Sequence, residues 1–116
     1  MDINFAQPLK SPNTFSEPAP FDEIHQIFAR RFTENYTQIH HEIRNALNTG
    51  DVTLAHRLVH NLKSNAGQLR KSSLQRVAGE VEDNLKSGEN HVTEQQMQKL
   101  EKELKIVIAE LKTDYF

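Results

Sequence analysis

From Ile24 onward, apolar residues recur every three or four positions, and no stretch sustains the alternation of a strand. Phe21-Asp22-Glu23 opens a short helix carrying Ile24, Ile27, Phe28 and Phe32. A second helix is predicted from about Thr33, with Tyr36, Ile39, Ile43, Ala46 and Leu47 on its stripe. Asn48-Thr49-Gly50 ends it, the glycine supplying a left-handed stop. Asp51 is the natural N-cap of a third helix with the stripe Leu54, Ala55, Leu58, Leu62, Ala66 and Leu69. Ser72-Ser73-Leu74-Gln75 has the spacing of a capping box and opens a fourth, carrying Leu74, Val77, Ala78, Val81 and Leu85, which Gly88 stops. Thr93-Glu94-Gln95-Gln96 repeats that spacing before a last helix to about Lys112, with Met97, Leu100, Leu104, Val107, Ile108 and Leu111.

Connections this short favour antiparallel neighbours. The expected fold is all-α: an up-and-down antiparallel four-helix bundle with an additional short N-terminal helix, over residues 21–116. Pro8, Pro12, Pro18 and Pro20 are the only prolines, and proline is excluded from helix interiors. Residues 1–20 are therefore read as an irregular N-terminal arm or linker.

Composition narrows the function. A chain of 116 residues makes one domain. Fourteen basic against sixteen acidic residues give a formal net charge of −2, which argues against nucleic acid as the main partner. The absence of cysteine removes disulfides, thiolate metal sites and thiol catalysis. No apolar run approaches the roughly 20 residues of a membrane span, and no signal-peptide pattern opens the chain, so a cytoplasmic setting is expected. The glycines stand only at 50, 67, 79 and 88, without a phosphate loop, so ATP binding and kinase activity are not expected. Six histidines are many for this length.

On a wheel of the third helix, at about 100° per residue, His60 lies roughly 160° from the centre of the apolar stripe. A helix histidine is commonly a satisfied core group, and this placement speaks against that. The other bland account, an idle surface group, is weakened by the neighbours. Ser64 follows one turn on and Gly67 two turns on, along the same exposed line. A mid-helix glycine costs roughly 1 kcal/mol relative to alanine, which makes sense where something approaches the backbone closely. Lys63 shares the face and could pair with a phosphoryl group on the imidazole.

The run from Ala55 to Leu69, with His60, Leu62-Lys63, small residues and a leucine, resembles the signature of the histidine-containing phosphotransfer (HPt) domain family. The turn Ala46–Asp51 and the segment Leu74–Leu85 resemble the elements that flank it there. Two positions depart: Ser64 stands where the family usually has glycine after the lysine, and Arg70 where it often has glycine after the leucine. The resemblance implies a phosphocarrier of a two-component phosphorelay. His60 would accept the phosphoryl group on Nε2 from the aspartate of a receiver domain and pass it to another receiver, the partners being receivers of response regulators, of a hybrid sensor kinase, or of both. Lys63, Ser64, Glu82 and Lys86 would support the imidazole or the phosphoryl group, Glu82 as the acceptor that fixes the ring tautomer. Docking would use His56, Arg57 and Gly67 with the exposed side of the first helix. The spacing of Ile24, Ile27 and Phe28 favours the core for most of them, and Ile24 and Phe28 would join the docking face where exposed. Mg²⁺ would come from the receiver, and the chain itself would need no cofactor and act as a monomer.

Three rivals stand beside this reading, one of them a purely structural helical bundle, which leaves the exposed His60, Lys63 and Gly67 line unexplained. His56 and His60 have the spacing of paired metal ligands, but Arg57 replaces the glutamate of the zinc-protease motif and a third ligand would have to come from His40 or His41. A degenerate bundle could instead dock a receiver or kinase without carrying phosphate.

Overall fold

The computed structural model describes residues 20–116, with side chains from Glu23 onward; the arm expected over 1–20 lies, but for Pro20, outside the described residues. Among the described residues every regular element is helical: α1 (Pro20–Tyr36), α2 (Ile39–Asn48), α3 (Val52–Gln68), α4 (Ser72–Asp83) and α5 (Glu94–Tyr115). Helix α3 packs between α2 and α4, α4 packs on α5, and α5 closes the bundle against α2. Helix α1 is the addition, resting mainly on α5 with a smaller contact to α2. The predicted up-and-down bundle with an extra N-terminal helix is the fold observed.

Its core is aliphatic. Ile43, Leu62, Leu74, Leu85, Leu100, Leu104 and Leu111 are fully buried, with Val59, Val77 and Val81 filling between them. Each such side chain contributes about 1.5–3 kcal/mol by leaving water.

The helix boundaries differ from the sequence reading in instructive ways. Helix α1 is not short, and it runs through Thr33 to Tyr36 before α2 starts at Ile39. The Thr33 hydroxyl donates to the Ala29 carbonyl within the helix (3.0 Å), so Thr33 continues α1 instead of starting α2. Thr37 back-bonds in the same way to Thr33, where the helix gives out. The buried line of α3 is Ala55, Val59, Leu62, Ala66 and Leu69, while Leu54 and Leu58 are only half-buried. Val59, left out of the expected stripe, turns the buried face by about 30° towards His60. Helix α4 has no capping box: Ser72 is already helical, and Lys71 precedes it without a side-chain cap. It stops at Asp83, so Gly88 turns the chain after the helix instead of ending it. The other caps stand as expected. Asp51 accepts from Leu54 N (3.1 Å), and Thr93 and Gln96 form the reciprocal box at the start of α5.

The same turn closes both α2 and α3. After α2, Asp51 N donates to Ala46 O (2.8 Å) and Gly50 N to Leu47 O (3.2 Å), with Gly50 at φ +80°. After α3, Lys71 N donates to Ala66 O (2.9 Å) and Arg70 N to Gly67 O (3.0 Å), with Arg70 at φ +60°. This is the Schellman closure, whose left-handed residue is usually glycine. At position 70 the turn demands what an L-residue resists, at a cost of about 1–2 kcal/mol. Arg70→Gly removes that strain and gives back part of it as chain entropy. It is expected to raise stability in urea by about 0.5–1 kcal/mol. A lowered midpoint would mean that the Arg70 side chain itself supports the turn.

Candidate functional site

Glu82 follows Val81 on the face of α4 that meets α3, and its side chain is 5% exposed. A buried carboxylate has to be answered by donors and opposite charge. Here the answer comes entirely from α3. His60 Nδ1 lies 2.8 Å from Glu82 Oε2. Lys63 Nζ lies 2.8 Å from Oε1, off the line of a well-formed hydrogen bond, so charge more than direction holds it there. His56 Nε2 is 3.6 Å from Oε2, too far to share the bond that His60 makes, and that nitrogen is buried without a partner. The sequence wheel put Glu82 on the rim and His60 on the most outward line. The turn of α3 about Val59 brings His60 and Lys63 to the α3–α4 seam.

Burial pushes the Glu82 carboxyl up, but the adjoining Lys63 ammonium, then the hydrogen bond and charge of His60, outweigh it and hold the group below the usual carboxylate range. Glu82 is therefore ionised near neutral pH and can only accept. The proton between it and His60 must sit on Nδ1, which leaves the Nε2 lone pair free. Nε2 makes no hydrogen bond to the described residues, and the His60 side chain is 54% exposed. In the neutral ring this leaves an outward-facing imidazole nitrogen with a free lone pair, backed by a buried anion and flanked by a lysine. That arrangement can attack an electrophile arriving from solvent and hold the positive charge that develops on the ring.

The other expected site residues lie in differing settings. Ser64 and Arg57 are exposed on α3. Lys86 is exposed and paired with Asp83 (3.0 Å), so no contact joins it to His60. Gly67 is half-buried, and what lies against it is part of the same chain: an added Cβ would fall 2.6 Å from Gln75 Nε2. The close approach inferred at Gly67 is made by that mobile side-chain end, which is cheap to displace. Ile24, Ile27 and Phe28 were expected mostly in the core, yet they are 49%, 49% and 41% exposed, because Ala29, Phe32 and Thr33 supply the buried face of α1. Beside Phe28 a hollow of about 250 Å³ opens between α1 and α3, reaching Asn65, which bonds the Tyr36 hydroxyl (3.0 Å). His40 and His41 lie in α2 beside α5 and not with His56 and His60. Among the described residues no group of three or more His, Asp or Glu is placed to hold a metal ion.

Sequence reasoning missed the burial of Glu82 and the role of its small neighbours. Ala78 sits one turn before Glu82, and Gly79 lies beside the Lys63 stem, where an added Cβ would make ordinary contact at 3.5 Å from Lys63 Cδ. Small residues one turn before a carboxylate, opposite a lysine, were the available signal.

A model of the Hpt domain family matches residues 28–113, well over half of the chain. No curated protein and no solved structure matches it.

The depressed Glu82 sets the direction of two measurements. The stability it contributes is present above the unfolded-state carboxylate value, about 4.3, and is lost as pH falls through the lower folded value. Glu82→Gln is expected to cost about 1–3 kcal/mol near neutrality, the gap to wild type closing under acid in urea titrations. A gap equal at both pH values would contradict the depressed carboxyl. In ¹⁵N spectra, His60 should hold its proton on Nδ1, and Glu82→Ala should shift it towards a mixture of tautomers.

Proposed function

This chain belongs to the Hpt domain family, whose members are phosphocarriers of two-component phosphorelays that meet receiver domains, and we propose that His60 is its phosphoacceptor. The observation that carries this reading is the 2.8 Å contact from His60 Nδ1 to the buried Glu82 carboxylate, which leaves Nε2 outward as the nucleophile.

The reaction follows from that geometry. The Nε2 lone pair forms an N–P bond with the phosphoryl group of a receiver aspartyl phosphate. The P–O bond to the aspartate breaks, and its electrons return to that carboxylate. The ring gains positive charge while keeping its Nδ1 proton, and Glu82 stabilises it. Phosphoryl transfer depends mainly on positioning and charge neutralisation. Lys63 needs only to swing from Oε1 of Glu82 towards the phosphoryl oxygens to supply a cation on this side. The receiver brings the Mg²⁺ that neutralises the rest. The same steps reversed deliver the group to a second receiver aspartate. The domain acts in the cytoplasm as a monomer, since the apolar faces of α2–α5 are used within the bundle.

Docking uses the exposed face of α3 and the side of α1 next to it. Arg57 and Ser64 lie on that face, Phe28 lines the α1–α3 hollow beside it, and Ile24 and Ile27 add exposed apolar surface on α1. Gly67 lies at the end of that face, against the end of the Gln75 side chain. Lys86 has no part in the chemistry while it is held by Asp83.

Transfer from phosphorylated receiver domains, read by intact mass, tests this. Wild type should gain an acid-labile phosphoryl group and His60→Gln none. Lys63→Ala should still be phosphorylated, with the rate lowered about tenfold, equivalent to about 1.4 kcal/mol of barrier. Binding of a receiver without any adduct would support the docking-only module instead, with Ser64→Gly as the variant that should then restore transfer. Gly67→Ala should keep or raise stability, because alanine favours the helix by about 1 kcal/mol. If the bare backbone serves docking, this variant should nevertheless bind the receiver more weakly.

A further inference from the structure

Two buried polar atoms are left over where α3 meets α4. Glu82 Oε1 and His56 Nε2 are both shut off from solvent, and neither has a hydrogen-bond partner. Such atoms are uncommon in folded proteins and call for an explanation. They belong to one cluster. His56, His60 and Lys63 follow one another on α3 at steps of four and three residues, on one side of the helix. All three bring a nitrogen to the same carboxylate: His60 Nδ1 lies 2.8 Å from Oε2, Lys63 Nζ 2.8 Å from Oε1 and His56 Nε2 3.6 Å from Oε2. The sequence sets His56 among the docking residues, but the nitrogen it turns to Glu82 is closed to any partner arriving from outside. A lone pair at that place would oppose the carboxylate, so the neutral ring carries its proton on Nε2. The 3.6 Å gap exceeds the ordinary N–H to oxygen range, up to about 3.2 Å, by only a few tenths of an ångström. The ring also borders a hollow of about 200 Å³ beside Val52 and Leu85, which gives it room to turn.

We propose that His56 is a positioning residue for the relay: a second N–H donor that closes on Glu82 Oε2 when Lys63 leaves Oε1. This role rests on His60 being the phosphoacceptor. Lys63 cannot serve the phosphoryl oxygens and the carboxylate at once. When it swings away, Glu82 stays buried and loses its cation, and a buried charge stripped of a partner is costly. Oε2 has two lone pairs, so it takes the His56 N–H without releasing the one from His60. Lys86 does not fill this place, because Asp83 holds it at 3.0 Å. His56 thereby lowers the cost of releasing Lys63, and it does so through Glu82 alone.

A double-mutant cycle on the full chain, unfolded in urea, tests this handover without any phosphoryl group. Lys63→Met keeps an apolar stem beside Gly79 and removes the charge. In that background His56→Leu should raise the unfolding constant about five- to tenfold more than it does in wild type. In ¹⁵N spectra, Lys63→Met alone should draw the His56 Nε2–H into a hydrogen bond, its proton moving downfield and its exchange with water slowing. That measurement stands even where the double variant does not fold. Transfer from a phosphorylated receiver then reads the role in the relay. His56→Leu should lower the rate at saturating receiver about three- to fivefold and leave receiver affinity unchanged. His56→Gln, whose amide offers an N–H in place of Nε2–H, should stay within about twofold of wild type. Additive stabilities with unmoved His56 nitrogens would overturn the proposal. So would a loss of receiver affinity at unchanged rate, which is what a docking contact gives. A wild type that takes up phosphate, with His56→Leu matching its rate, sinks this role and leaves His60 standing as the acceptor. A wild type that no receiver phosphorylates sinks both.

Discussion

A carboxylate cannot be placed in a helix seam unless something next to it carries the complementary charge. The contact of Glu82 with His60 and Lys63 is the constraint on which the site depends. It ties α3 to α4 where the two helices pack most extensively, and it fixes which nitrogen of His60 faces outward. It also keeps Lys63 beside the carboxylate that His60 contacts. The bundle supplies the rigidity: Val59 and Leu62, beside His60 and Lys63 in the chain, are fully buried and fix the rotation of α3.

Much of this was legible in the order of residues, because helix periodicity is a local property. Four helices, the caps at Asp51 and Thr93, and the left-handed stop at Gly50 follow from neighbours within one or two turns. So does the exposure of His60. Legibility stopped where one element is set by another. Whether Val59 or Leu58 points inward depends on the partner surfaces of α3, and an error of one residue moved the apparent position of the whole site. Glu82 reads as a rim charge when α4 is taken alone. Only the lysine and histidine of α3 make its burial tolerable. Lys86 shows the converse, since Asp83, three residues before it, captures the side chain that a wheel leaves available.

The turns at residues 50 and 70 make the same point about backbone. They share a hydrogen-bond pattern and a left-handed residue, but only one of them uses glycine. At position 50 the sequence announces the turn. At position 70 the arginine conceals it, and the geometry is imposed by the packing of α3 and α4 on either side. The missing cap on α4 belongs to the same turn, because Lys71 is already used to close α3 and Ser72 is left to begin the next helix.

The break at Thr37–Gln38 separates two kinds of surface. Beyond it in the chain, every helix contributes to a shared core around the α3–α4 seam, so substitutions there propagate. Before it, α1 touches the bundle chiefly along Ala29, Phe32 and Thr33 and presents Ile24, Ile27 and Phe28 to solvent. Changes at those exposed positions leave the seam untouched. Over evolutionary time such a partition lets the exposed face of α1 drift in sequence while the α3–α4 seam is inherited intact.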